Sequence, residues 1–239
     1  MIIYAGTSGY SYKEWKGHFY PEKLPAGDML SFYAERLPAV EINNTFYRLP
    51  KESVLDGWAA QVPEDFRFSI KASRRITHFK RLKQTDDETA YLLRVLGTLG
   101  PMLGVVLFQL PPNFKKDLPR LESFLDLLPP RAPTAFEFRH QSWFDDDVVA
   151  VLKDRGCALC LADTDDGDPP PLVDTGSLGY LRLRRADYSD DDLRAWADQI
   201  EEQAWDRVFV FFKHEDEAAG PRMAHRFLEL AARGSEAED

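Results

Sequence analysis

GVVLFQL, running from Gly104 to Leu110, is seven residues long, apolar except for one amide near its end, and fenced by Gly100-Pro101 before it and Pro111-Pro112 after it. A continuous apolar run of that length between breakers reads as a strand buried on both faces, the kind that parallel sheets use. Seven further runs of similar character recur along the chain: Ile2 to Thr7, Ala39 to Thr45, Phe66 to Lys71, Thr134 to Arg139, Cys157 to Asp163, Gly179 to Arg184 and Arg207 to His214. Most end in a charged or amide residue, and helix-period segments lie between most of them. That alternation predicts βα units around a closed parallel sheet, a (β/α)8 TIM-type barrel of the α/β class.

The connecting segments carry their own start and stop signals. Asp28 is expected to cap a first helix bearing Met29, Leu30, Phe32, Tyr33 and Leu37, and further helices are expected near 51–61, 86–99, 118–128 and 145–155. Gly156 marks the C-terminal stop of the fifth. Ser189 with Asp192 forms the pattern of a capping box, and Pro221 opens the last helix. The sixth crossover, DTDDGDPPPLVDTG, has three consecutive prolines and no apolar period, so it is expected to be irregular. Residues 233–239 are expected to fray as a tail.

At 239 residues the chain fits one barrel domain, 1–239, since such barrels take about 250 residues. It has no apolar run long enough for a membrane helix and no basic segment leading into a signal core at Met1 to Gly6, which predicts a soluble, cytoplasmic protein with no membrane partner. The net charge of −10 disfavours nucleic acid as a partner without excluding a local phosphate site. Cys157 and Cys160, the only cysteines, share the C-x-x-C spacing of redox and zinc sites, but they lie inside the apolar run CALCLAD and read as core thiols. The five histidines fall into no tight ligand spacing, so neither a metal nor another cofactor is expected.

In such a barrel the strand C-termini surround the active site. Side chains alternate along each strand, and a polar side chain is cheaper in the barrel mouth than under the helices. The rule turns Glu41, Asn43, Lys71, Gln109, Glu137, Arg139, Arg182 and Arg184 inward, adds Asp163 from the end of strand six, and leaves either Lys213 or His214 on strand eight. Glu41, Glu137 and Asp163 are the candidate catalytic carboxylates. Asn43, Lys71, Gln109, Arg139, Arg182 and Lys213 or His214 are candidate binding residues, the arginines by a bidentate fork. In the loops, Tyr12 and Trp143 are candidates to touch a ligand, whereas Trp15 and Phe19 are expected to pack. Arg184, Arg185 and the helix start near Gly220 would suit a phosphate held by the loops after strands seven and eight.

The set TSGYSYKEWKGHFYP, VEINNTFYRLP, FSIKA with a downstream TH, LFQLPPNF, FEFRHQSW and FFKHE resembles the YecE-like family, also called domain of unknown function 72, across essentially the whole chain. The resemblance implies a TIM-type barrel and no particular reaction. It also implies a shared pocket holding Gly6, Ser8, Gly9, Trp15, Glu41, Asn43, Thr45, Phe46, Tyr47, Lys71, His78, Gln109, Pro111, Glu137, Arg139, Trp143 and Asp163. This chain departs from it after strand seven, where Arg182-Leu183-Arg184-Arg185 stands in place of an R-L-H-G pattern.

The expected function is metal-independent acid–base chemistry, of hydrolase or lyase type, on a small anionic substrate that is phosphorylated or contains a sugar. Two rivals stand beside it. One is glycoside hydrolysis by Glu41 and Glu137, and the other is non-catalytic binding of a nucleotide or nucleic acid.

Overall fold

The computed structural model describes residues 1–167, 169–170, 172–213 and 216–236. Its strands are β1 Ile2–Ser8, β2 Ala39–Ile42, β3 Arg67–Lys71, β4 Leu103–Gln109, β5 Thr134–Glu137, β6 Ala158–Leu159, β7 Leu161–Asp163, β8 Leu178–Leu183 and β9 Arg207–Phe212. All pair in parallel, in the order β6-β5-β4-β3-β2-β1-β9-β8-β7. Nine strands stand where eight runs are expected because the CALCLAD run is broken at Cys160: its first half pairs with β5 and its second with β8. The unbroken chain from Leu159 to Leu161 therefore joins the two ends of the sheet, and the barrel has eight staves.

Among the described residues seven α-helices surround it: α1 Met29–Ala34, α2 Glu52–Ala59, α3 Asp86–Leu96, α4 Leu118–Leu125, α5 Asp146–Arg155, α6 Asp190–Glu201 and α7 Ala219–Glu236. The expected helices are all present; the first six are shorter at one or both ends, as where a 3-10 turn follows α3 at Gly97–Met102, and the last starts two residues before Pro221. Gly156 stops α5 in the left-handed conformation, and the Ser189–Asp192 capping box opens α6 with both of its bonds formed. Asp28 precedes α1 but its side chain makes no cap bond; a 3-10 turn, Ala26–Asp28, leads into the helix instead. Asp117 caps α4 by accepting from the Arg120 amide. The sixth crossover contains no helix among its described residues. The tail expected to fray from Arg233 is helical through Glu236, and residues 237–239 lie outside the described residues.

Alternation divides the core into two. One apolar cluster fills the barrel axis with Ala39, Val105, Leu107, Ala135, Ala158, Cys160, Leu178, Tyr180, Phe209 and Phe211. The other lies between staves and helices and takes the opposite parity, for example Val40, Phe68, Ile70, Phe108, Phe136, Leu181 and Val210. Gly6 is required by the close approach of β1 to β2, since a Cβ there would stand 1.8 Å from the Ala39 carbonyl oxygen. The Tyr33 hydroxyl seals that seam, accepting from the Thr7 amide and donating to Ala39 O, both at 2.9 Å. Both cysteines are buried free thiols, in keeping with a packing role. No helix among the described residues is long and apolar enough to cross a membrane.

Candidate functional site

The apolar filling of the barrel gives way to charge at the level of Glu41 and Glu137. Arg182, from β8, is 3% exposed and spans both: one terminal nitrogen donates to Glu137 Oε2 at 2.6 Å and the other to Glu41 Oε1 at 2.8 Å. Glu41 also accepts from Ser8 Oγ at 2.8 Å, Asn43 Nδ2 at 2.9 Å and the Tyr180 hydroxyl at 2.7 Å. Tyr180 is in turn 2.6 Å from Ser69 Oγ. Glu137 accepts from Gln109 Nε2 at 2.8 Å on both oxygens and pairs more loosely with Arg139 Nε at 3.4 Å.

These contacts fix the ionisation of the two acids. Burial alone would raise the Glu41 carboxyl, but the Arg182 charge and the converging donors outweigh it and hold the group at about 2. Burial opposes ionisation of Glu137 as well, and Arg182, Gln109 and Arg139 again turn the balance toward the carboxylate. Neither acid has a proton to give at neutral pH, and each is bound to fixed donors. The roles of catalytic acid and base expected for them do not fit this arrangement; they form a neutralising floor around Arg182.

Above that floor lies a cavity of about 460 Å³ lined by Ser8, Tyr12, Asn43, Phe46, Tyr47, Lys71, His78, Gln109, Arg139, Arg182, Arg184 and Lys213. It gathers most of the residues that strand parity assigns to the mouth. Lys213 follows the parity of Phe209 and Phe211, which face the barrel axis, and it reaches the cavity wall. His214 lies outside the described residues. Tyr12 forms part of the wall, its hydroxyl donating to Ser8 O at 2.6 Å. Gly9, at φ +98, makes the turn that sets Ser8 beneath this wall, with its amide donating to Glu41 O at 2.8 Å.

Two expected site residues are not brought there. Asp163 shares the outward parity of Leu161, and it is fully buried against the Tyr188 hydroxyl at 2.9 Å and Arg185 Nε at 2.9 Å. That pairing ties Arg185 to Asp163 through its Nε. Trp143 is 1% exposed, stacks on Phe138 at 4.6 Å and donates its indole N–H to Phe114 O at 2.7 Å. It packs a loop shut, as Trp15 and Phe19 do in the first loop.

One lysine of the wall, Lys71, rests on an aromatic ring. Its ammonium has no hydrogen bond or ion pair among the described residues; its nearest defined contact is the Phe46 ring, 4.5 Å from Nζ to centroid. Burial, joined by the Arg182 charge, lowers its pKa to about 8. The His78 ring meets the same phenyl edge-on at 4.8 Å, and burial together with Lys71, Arg139 and Arg81 lowers its pKa as well. His78 reaches the mouth on a π-helical turn, Arg75–Phe79, directly after β3, where Thr77 Oγ1 is 2.9 Å from its Nδ1. Parity cannot place a loop residue, so only the downstream TH of the family resemblance pointed to it. Tyr180, the deep donor to Glu41, reads as apolar filling in sequence, although it shares the parity of Arg182. No cluster of three or more metal-ligating side chains forms among the described residues.

The comparisons agree with this architecture. The DUF72 family, described as "Protein of unknown function DUF72", matches residues 4–238. The UPF0759 protein YecE of Escherichia coli (strain K12) is 34% identical over 157 residues, which cover 65% of this chain and 55% of that protein. The UPF0759 protein YunF of Bacillus subtilis (strain 168) is 30% identical over 200 residues, covering 78% of this chain and 67% of that one. The match thus spans little more than half the length of the Escherichia coli relative. The crystal structure of a DUF72 family protein from Thermotoga maritima MSB8 superposes with a TM-score of 0.79 over the full length of both chains at 25% identity. With its family profile, its relatives and its barrel in agreement, the chain belongs to the DUF72 family.

Proposed function

We propose that the mouth of this barrel binds a small anionic ligand, phosphorylated or carboxylated, and moves protons on it with Lys71 and His78. One observation carries the reading: Lys71, Arg139, Arg184 and Lys213 line one cavity, whose two nearby carboxylates are both engaged by Arg182. An incoming anion therefore meets cations, and the two carboxylates described at the floor are already neutralised. Arg139 and Arg184 offer forked donors and Lys213 a mobile point charge. Lys71, lowered toward neutrality, is a proton donor near neutral pH, and His78, held below its ordinary value by burial and neighbouring cations, is a neutral imidazole able to accept a proton. Glycoside hydrolysis has no support here, because it needs a protonated carboxyl and neither Glu41 nor Glu137 is one.

The test is thermal denaturation of the full chain with inorganic phosphate, sugar phosphates and short carboxylic acids. A ligand at one hundred times its Kd stabilises by about 2.7 kcal/mol. Stabilisation that Arg139→Ala weakens is the expected result. Its absence for every anion would refute the reading.

One feature favours a second occupant. Tyr47, which lines the cavity, and Phe79, 67% and 68% exposed, flank the Arg74 guanidinium at 5.1 and 5.2 Å. Such a platform suits the flat face of a base, as in a nucleotide whose phosphate enters the cavity. Binding of single-stranded oligonucleotides that weakens steeply with salt and is lost in Tyr47→Ala would support it over the small anion.

A further inference from the structure

We infer that Lys71 is a nucleophile that forms an imine with an anionic aldehyde or ketone held in the mouth, an inference that rests on the anion pocket proposed above. A lysine ammonium is a strongly hydrated group with three donors, so one half-buried against a ring with no acceptor is driven toward the neutral amine. Lys71 has no acceptor within bonding distance among the described residues, while the nearest acids, Glu41 and Glu137, are saturated by Arg182, Ser8, Asn43, Tyr180 and Gln109. Its amine instead faces a phenyl ring on one side and the open cavity on the other. Burial and neighbouring cations both favour the neutral amine, the form that attacks carbonyl carbon.

His78 completes the chemistry. It rests against the same Phe46 ring and lines the same cavity as the amine, so a proton can pass between them through a water in that cavity. The ammonium first passes one proton to the imidazole. The neutral nitrogen then adds to the carbonyl carbon, forming the C–N bond as the carbonyl π pair moves to oxygen, and a proton shift from nitrogen to oxygen gives the carbinolamine. The imidazolium returns its proton to the carbinolamine hydroxyl, which leaves as water, and the protonated imine remains. Atoms and charge balance: ammonium plus carbonyl gives iminium plus water. Arg139 and Arg184 would hold the carboxylate or phosphate of the same ligand, and the iminium can draw electrons from the adjacent carbon.

The experiment is reductive trapping. The full chain is incubated near pH 7.5 with sodium cyanoborohydride and either glyoxylate or glycolaldehyde phosphate, and adducts are located by peptide mass spectrometry. The two probes share an anionic carbonyl and differ in the anion. Lys71 is expected to be labelled at least tenfold faster than the exposed Lys13, inorganic phosphate is expected to slow that labelling, and Lys71→Arg is expected to abolish the selective adduct while still being stabilised by phosphate. Labelling of Lys71 no faster than Lys13, while phosphate still raises the melting temperature, would overturn the imine and leave the anion pocket standing. Phosphate that neither stabilises nor protects would overturn the pocket, and with it the ligand class named here.

Discussion

Removing the Arg182 guanidinium would leave two buried carboxylates facing each other, with only the looser Arg139 contact on Glu137 as counter-charge. Breaking one partner out of a buried charge cluster costs about 3–5 kcal/mol, so Arg182→Ala should show a loss of that order in urea denaturation. Arg182→Met combined with Glu41→Gln and Glu137→Gln should lose far less, because no buried charge is then left unpaired. Glu41 also sets an acid limit. Its folded pKa of about 2 lies below the ordinary 4.5, so the stability it supplies is complete above pH 4.5 and drains away as pH falls toward 2. Glu41→Gln should flatten that stretch of the stability profile. The Lys71 pKa is lowered too, chiefly by burial, but for a cation the lowering favours the neutral form: its charge is lost as pH rises through about 8. Sulfate, whose charge is constant in this range, should bind more weakly above pH 8 than at neutrality by calorimetry, and Lys71→Met should remove that dependence.

At the scale of elements, what sequence makes legible depends on whether a segment contains its own reference. In TAFEFR the aromatic residues and the charged residues fall on opposite parities, so Glu137 and Arg139 could be assigned inward without coordinates. CALCLAD has no such internal contrast before its last residue, and that is where the assignment failed: Ala158 and Cys160 take the inside, and Asp163 is left with the outer set. Helix ends behaved similarly. Ser189 and Asp192 specify each other, and the box is formed, whereas Asp28 had no partner in sequence and makes no cap bond. Ser189→Ala should therefore cost about 1 kcal/mol in equilibrium unfolding, and Asp28→Ala much less. The π-helical turn that delivers His78 has no periodic signature at all, since a single turn of five residues is too short to repeat.

For the whole molecule, a net charge of −10 surrounds a mouth whose lining is cationic. Sequence could show both facts but not how the charges divide, because pairing is a property of distance: Arg182 meets Glu41 and Glu137 across separations of 141 and 45 residues. The cations left facing the cavity should attract anions more strongly at low ionic strength, so the affinity for sulfate should fall as sodium chloride is raised. The fold itself was readable because eight apolar runs of one length admit few closed arrangements, and the break at Cys160 changes the strand count without changing the number of staves.

The guanidinium that ties β8 to β2 and β5 also closes the barrel axis beneath the cavity, with Tyr180, Phe211 and Leu107 packed in the barrel below it. The well thus has a single door. Whatever enters must leave by the way it came, so a departing molecule stands in the path of the next arrival, and any turnover here should be throttled by its own product in direct competition with substrate.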